Sequence, residues 1–95
     1  MSKKEVYEKK LQNQLDEWGS KIDELEIKAK KTEAEVQQKY EEEIDHLRSK
    51  QTEAYEKLSE LKQSGDDAWE DLKAGVDSAS EAFGTALKSA VSRFQ

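Results

Sequence analysis

The sequence predicts an all-α protein, and three observations lead there. Apolar residues return at helical spacing from Val6 to Leu61, proline is absent, and no stretch alternates apolar and polar residues between hairpin turns as paired strands require. The apolar sets are Tyr7 and Leu11; Trp18, Ile22 and Leu25; Ala29 and Val36; Tyr40, Ile44 and Leu47; Tyr55 and Leu58. Each set starts eleven residues after the one before and draws on the first, fifth and eighth places. Eleven residues make almost three helical turns, so every member lies on one stripe. Gln14, Glu33 and Gln51 are the polar gaps in it.

Taken in order, residues 1–2 are a tail and residues 3–63 read as one long amphipathic helix, roughly 90 Å at 1.5 Å per residue. Glu5–Lys9, Glu17–Lys21, Glu24–Lys28, Glu26–Lys30, Glu35–Lys39 and Glu53–Lys57 have the favourable i,i+4 order, each adding about 0.2–0.5 kcal/mol on a solvated face. Gly19 is the weak point, at about 1 kcal/mol relative to Ala, and the phase of Trp18, Ile22 and Leu25 carries the helix through it.

A short turn is expected at residues 64–67, where Gly65 can close a helix and Asp67 with Glu70 has capping-box spacing. The stripe slips by one residue there, from Trp69 to Leu72, Val76 and Ala79, which fits an interruption better than a continuous rod. Residues 68–94 form a second, shorter, Ala-rich helix in which Leu72, Val76 and Ala79 are answered by Phe83, Leu87 and Ala90. Its acidic start at Asp66, Asp67, Glu70 and Asp71 and basic end at Lys88 and Arg93 suit the helix dipole.

The composition is 34% hydrophobic and 40% charged, with a net charge of −6 and no cysteine. A folded-back second helix would cover less than half of a 61-residue first helix, so the sequence predicts a coiled-coil-like hairpin or bundle completed by self-association, a homo-oligomer with antiparallel twofold packing. The association stripe is Trp18, Ile22, Leu25, Tyr40, Ile44, Leu47, Leu58, Leu72, Val76, Phe83 and Leu87. The acidic balance argues against nucleic acid as a partner. The opening MSKKEVYEKK lacks the apolar core of a secretion signal, which gives the expectation of a cytoplasmic protein.

No catalytic, cofactor-binding or metal residue is assigned. Glu43 and His46 have the Glu-x-x-His spacing of carboxylate-bridged bundles, but His46 lies roughly 120° from the stripe and is read as solvated. The acidic run Glu41–Glu43 lacks the spaced oxygen ligands of a calcium loop. The aromatic residues are read as anchors of a helix–helix core. A lipid surface is the second possibility, because eleven-residue amphipathic repeats can lie in a membrane interface; Phe83, Leu87, Val91 and Phe94 near the basic end would be the contact.

The stretch DDAWEDLKAGVDSASEAFGTALKSAVSRF resembles the C-terminal signature of a small family of bacterial coiled-coil stress-response proteins. The opening MSKKEVYEKKLQNQLDEWGSKIDELEIKAKKTEAE, with its KLQ-x-QLDEW run, is similar to the start of the same family. The resemblance implies a small bacterial helical protein tied to stress conditions, with no catalytic residues to carry over. The resulting expectation is a non-enzymatic structural, scaffolding or protective protein that self-associates through its stripe, the alternative being peripheral lipid binding by the second helix.

Overall fold

A computed structural model describes residues 2–94. Among the described residues the regular elements are three α-helices: α1 (Lys3–Lys30), α2 (Ala34–Gln63) and α3 (Trp69–Arg93). They form an elongated bundle of 52 × 19 × 18 Å. The all-α expectation holds. The expected single helix over 3–63 does not, because the chain leaves helical geometry at Lys31–Glu33 and folds back.

Local chemistry shapes that break. The α1 C-terminus carries Lys28 and Lys30, and Glu33 and Glu35 stand at the start of α2, so charge reverses as two opposed helix dipoles favour. The Thr32 hydroxyl and its N–H both donate to the Ala29 carbonyl, at 2.9 and 3.2 Å, closing α1. Glu33 is extended at φ −66°, ψ 154°. Interrupting one helix forfeits a few backbone hydrogen bonds at about 1 kcal/mol net each. In return Leu15 and Ile22 become fully buried and Leu25 nearly so, and each such side chain contributes about 1.5–3 kcal/mol. Burial outweighs continuity.

The second connection, expected at residues 64–67, occupies residues 64–68. Its mechanism differs from the expectation: Gly65 does not take a left-handed conformation, and Asp67 with Glu70 does not form a capping box. Extended Ser64 (ψ 156°) ends α2, its hydroxyl donating to the Leu61 carbonyl at 2.6 Å, and the Gly65 carbonyl accepts from the Ala68 and Trp69 N–H groups. The Lys4 ammonium donates to the Lys62 and Ser64 carbonyls at 3.2 and 2.7 Å, capping the α2 C-terminus from another helix.

Tyr55 with Asp16, Lys62 with Gln12, and Arg48 with Asp23 and Glu26 show α1 and α2 to be antiparallel. Their register places residue i of α1 beside about residue 72 − i of α2. α2 and α3 are antiparallel through Arg93–Glu43 and Tyr40–Phe94, while α3 runs alongside α1 in the same direction through Tyr7–Trp69 and Trp18–Phe83. In this register Lys30 is level with the Glu41–Glu43 run, so the first two turns of α2 project past the end of α1. Phe94 covers Tyr40 there by stacking at 4.0 Å. Val36, on the same stripe, has no α1 beside it and remains 41% exposed.

The core is one cluster running from Leu11 to Ala90 through all three helices. It includes Leu15, Ala54 and Leu61, which the eleven-residue template omits. A helix between two neighbours buries a wider face than a helix in a two-stranded seam. Gly19 is buried, and a Cβ there would meet Gln51 Nε2 at 2.9 Å; the expected weak point is a place of close approach between α1 and α2.

Candidate functional site

The sequence offers two candidate sites, the apolar stripe and a lipid-contact face at Phe83, Leu87, Val91 and Phe94. Phe83 and Leu87 are buried in the bundle rather than presented on its surface, and the bundle shows where each stripe member goes. Ile22, Leu25, Tyr40, Ile44, Leu47, Leu58, Val76, Phe83 and Leu87 are buried, and Trp18 and Leu72 are half-buried against them. One chain thus brings these residues together and covers them with its own helices, leaving Val36 of the longer stripe exposed. The premise that the second helix is too short to hide the ribbon fails, because the first sixty residues fold in half and hide most of it from each other.

What remains outside is chiefly charged. The large apolar side chains left exposed are Val6, Ile27 and Val36, and they are dispersed along the rod. His46 is exposed, as its phase predicts, and the described residues contain no group of three or more His, Asp and Glu arranged to hold a metal ion. No described helix is long and apolar enough to cross a membrane. None of the six anticipated i,i+4 pairs is in ion-pair contact; Lys4–Glu8 and Lys57–Glu60 form instead.

Polar contacts between helices fix the register. Arg48 of α2 reaches Asp23 at 2.7 Å and Glu26 at 2.8 Å on α1, and Gln51 at 3.0 Å on its own helix. Burial works against the Arg48 charge, but the two carboxylates outweigh it and hold the guanidinium above its ordinary value. The Tyr55 hydroxyl donates to Asp16 at 2.5 Å, and burial followed by that bond and its charge pushes the phenol up to about 12. The Tyr7 hydroxyl donates to Asp77, and its phenol is raised as well, by burial first and then by Asp77. Each carboxylate accepts a bond that stabilises the neutral phenol, so these pairs hold protons in place across helix interfaces. Their chemistry is structural: one links α1 to α2, the other α1 to α3.

An open groove of about 530 Å³ lies between α1 and α3, lined by Trp18, Lys21, Gly84, Leu87, Lys88 and Val91 among others. Gly84 makes it possible, since a Cβ there would stand 2.6 Å from Trp18 Cη2. The indole lies over the glycine and meets Phe83 edge-on, with centroids 5.5 Å apart at 89°. Two lysines flank an apolar floor, an arrangement the stripe alone does not reveal because Lys21 and Lys88 come together only once α1 and α3 run side by side. Comparison of this chain with family models, curated proteins and solved structures finds no match.

Proposed function

We propose that this chain is a non-enzymatic structural or protective helical protein that works by helix–helix association through its apolar stripe, the partner being a second copy of itself. The observation that carries the reading is the chemistry of the stripe: an apolar ribbon along nearly the whole chain, with an outer face given over to charge. Resemblance of residues 66–94 and of the opening to bacterial stress-response coiled-coil proteins supports a setting in stress conditions. Because the ribbon is folded against itself, association through it requires helices to exchange neighbours.

Sedimentation equilibrium with far-UV circular dichroism over a concentration series tests the proposal. The expected result is a dimer that grows with concentration, while helicity persists on dilution because each released chain closes on itself. A single-chain particle at every concentration, including after heating and cooling, would overturn it. The groove beside Trp18 favours a second reading, contact with an anionic lipid surface, since Lys21 and Lys88 border an apolar floor. Co-sedimentation with anionic but not neutral vesicles, abolished by Lys21→Glu with Lys88→Glu, would support that reading over the first.

A further inference from the structure

We infer that Lys31–Glu33 is a hinge: straightened, it makes residues 3–63 a single helix that passes α1 to a second copy, with Val36 of each chain facing Val36 of the other on the twofold axis. The inference deepens the self-association reading and rests on it.

Four observations converge on this assignment. The two connections differ in kind. Across residues 64–68 the stripe slips by one residue and a glycine is present, whereas across Lys31–Glu33 the eleven-residue phase continues unbroken from Ala29 through Val36 to Tyr40. Lys31, Thr32 and Glu33 include neither glycine nor proline, and nothing in their chemistry forbids a helix. A straightened hinge would therefore align the α1 and α2 stripes along one face, although the closed bundle has no use for that alignment.

The register supplies the second observation. With residue i beside about residue 72 − i, the same α1–α2 contacts can form between two chains, and the relation maps residue 36 onto itself. Val36 is the stripe position that the closed bundle leaves 41% exposed. In the exchanged dimer it lies at the centre of the seam.

Charge is the third. In this register Glu33 lies opposite Lys39 of the other copy, a pairing only two chains can make, while Lys30 and Lys31 face Glu41 and Glu42 as they do within one chain. All six side chains are exposed in the closed bundle, and none of them makes an ion pair there. Such pairs add little energy singly, but they select the antiparallel register over its alternatives.

Finally, the hinge is lightly held. Glu33 caps α2 without a side-chain hydrogen bond, and the Thr32 contacts to Ala29 would be replaced by helical ones. Every core contact between α1 and its neighbours is recovered from the other copy, so the exchange conserves the buried stripe.

Glu33 also provides the test. Its φ of −66° suits proline and its N–H makes no backbone hydrogen bond, so proline meets the local requirements of position 33 in the closed bundle, whereas proline inside a straight helix is strongly disfavoured. Thr32→Ala favours the straight form. Fluorescent labels at exposed Asn13 and Ser59, attached through Asn13→Cys and Ser59→Cys, report the topology when labelled chain is diluted into unlabelled chain. The two sites lie on adjacent helices about 10 Å apart in the closed bundle, but roughly 70 Å apart along one helix after exchange.

The expected result is a dimer with low intrachain energy transfer, tightened about threefold to tenfold by Thr32→Ala and weakened about ten-thousandfold by Glu33→Pro, whose monomer stays helical. A dimer that keeps high intrachain transfer, or that withstands Glu33→Pro, overturns the hinge but leaves self-association standing. A wild-type chain and a Thr32→Ala chain that both remain monomeric at millimolar concentration overturn both.

Discussion

Gly75 and Gly84 stand nine residues apart in α3, and the same substitution should act on them with opposite sign. At Gly75 a new Cβ meets nothing within 4 Å, so Gly75→Ala gains the helix-propensity difference, about 0.8–1.0 kcal/mol. At Gly84 the same gain applies, but the Cβ would stand 2.6 Å from Trp18 Cη2 and 3.0 Å from Cζ2, where ordinary contact begins near 3.4 Å. The indole must move by most of an ångström. Trp18 is half-buried and can swing outward, so the cost is the edge-on contact with Phe83, about 0.5–1.5 kcal/mol, together with an overpacking term of about 1–3 kcal/mol. After the propensity gain, Gly84→Ala is expected to destabilise by about 0.5–3.5 kcal/mol. The two variants should therefore differ by about 1.5–4.5 kcal/mol, or roughly 6 °C or more in Tm for a domain of this size. Thermal and urea melts followed by circular dichroism, with Trp fluorescence reporting the indole, read this directly. If Gly84→Ala stabilises as much as Gly75→Ala, the indole does not lie on the glycine and the α1–α3 contact described above is wrong.

Buried polar groups give two further predictions. Ser80 is buried and its hydroxyl has no hydrogen-bond partner within the protein, so Ser80→Ala should raise stability by about 1 kcal/mol in urea melts; a loss of that size would show the hydroxyl to be paired. Alkali should unfold the bundle through Tyr7 and Tyr55. An unfolded tyrosine ionises near pH ~10, whereas folded Tyr55 holds its proton up to about 12 and Tyr7 is also raised, so their stabilisation is complete below the unfolded value and is lost as pH climbs through the folded one. Phenolate absorbance should therefore rise together with loss of helicity above pH ~10. Titration of Tyr7 and Tyr55 near pH ~10 in a fully helical protein would contradict the Asp16 and Asp77 contacts.

Much of the fold is legible in the residues, and what is not has identifiable causes. The absence of proline and the eleven-residue stripe point to helices, and the slip of phase beside Gly65 marks the second connection within a residue or two. The first connection escapes notice because phase is blind to it: Ala29, Val36 and Tyr40 stay on one face whether or not the chain turns between them. A weaker signal is present, in the spacing of Thr32 and Glu35 and in the change from Lys28, Lys30 and Lys31 to Glu33 and Glu35. Without that turn the stripe becomes a ribbon in need of a second chain. The stripe is the apolar face in the folded protein too, but Leu15, Ala54 and Leu61 fall outside a template suited to a narrower seam. Gly84 and the lysine-flanked groove are invisible in the sequence, since only tertiary proximity makes a neighbour of Trp18.

The connections are short, three residues between α1 and α2 and five between α2 and α3. Each hairpin therefore closes over a small loop, and the entropy surrendered before the first helix–helix contact is modest. Domains of this local topology fold in microseconds to milliseconds. A chain opened by heat or denaturant recloses on itself faster than it meets another at micromolar concentration, where association at about 10⁶ M⁻¹s⁻¹ takes on the order of a second. Under the proposed exchange of helices, preparation history then matters: material concentrated while still open would hold the exchanged dimer and material cooled while dilute the closed chain, each kept for as long as opening is slow.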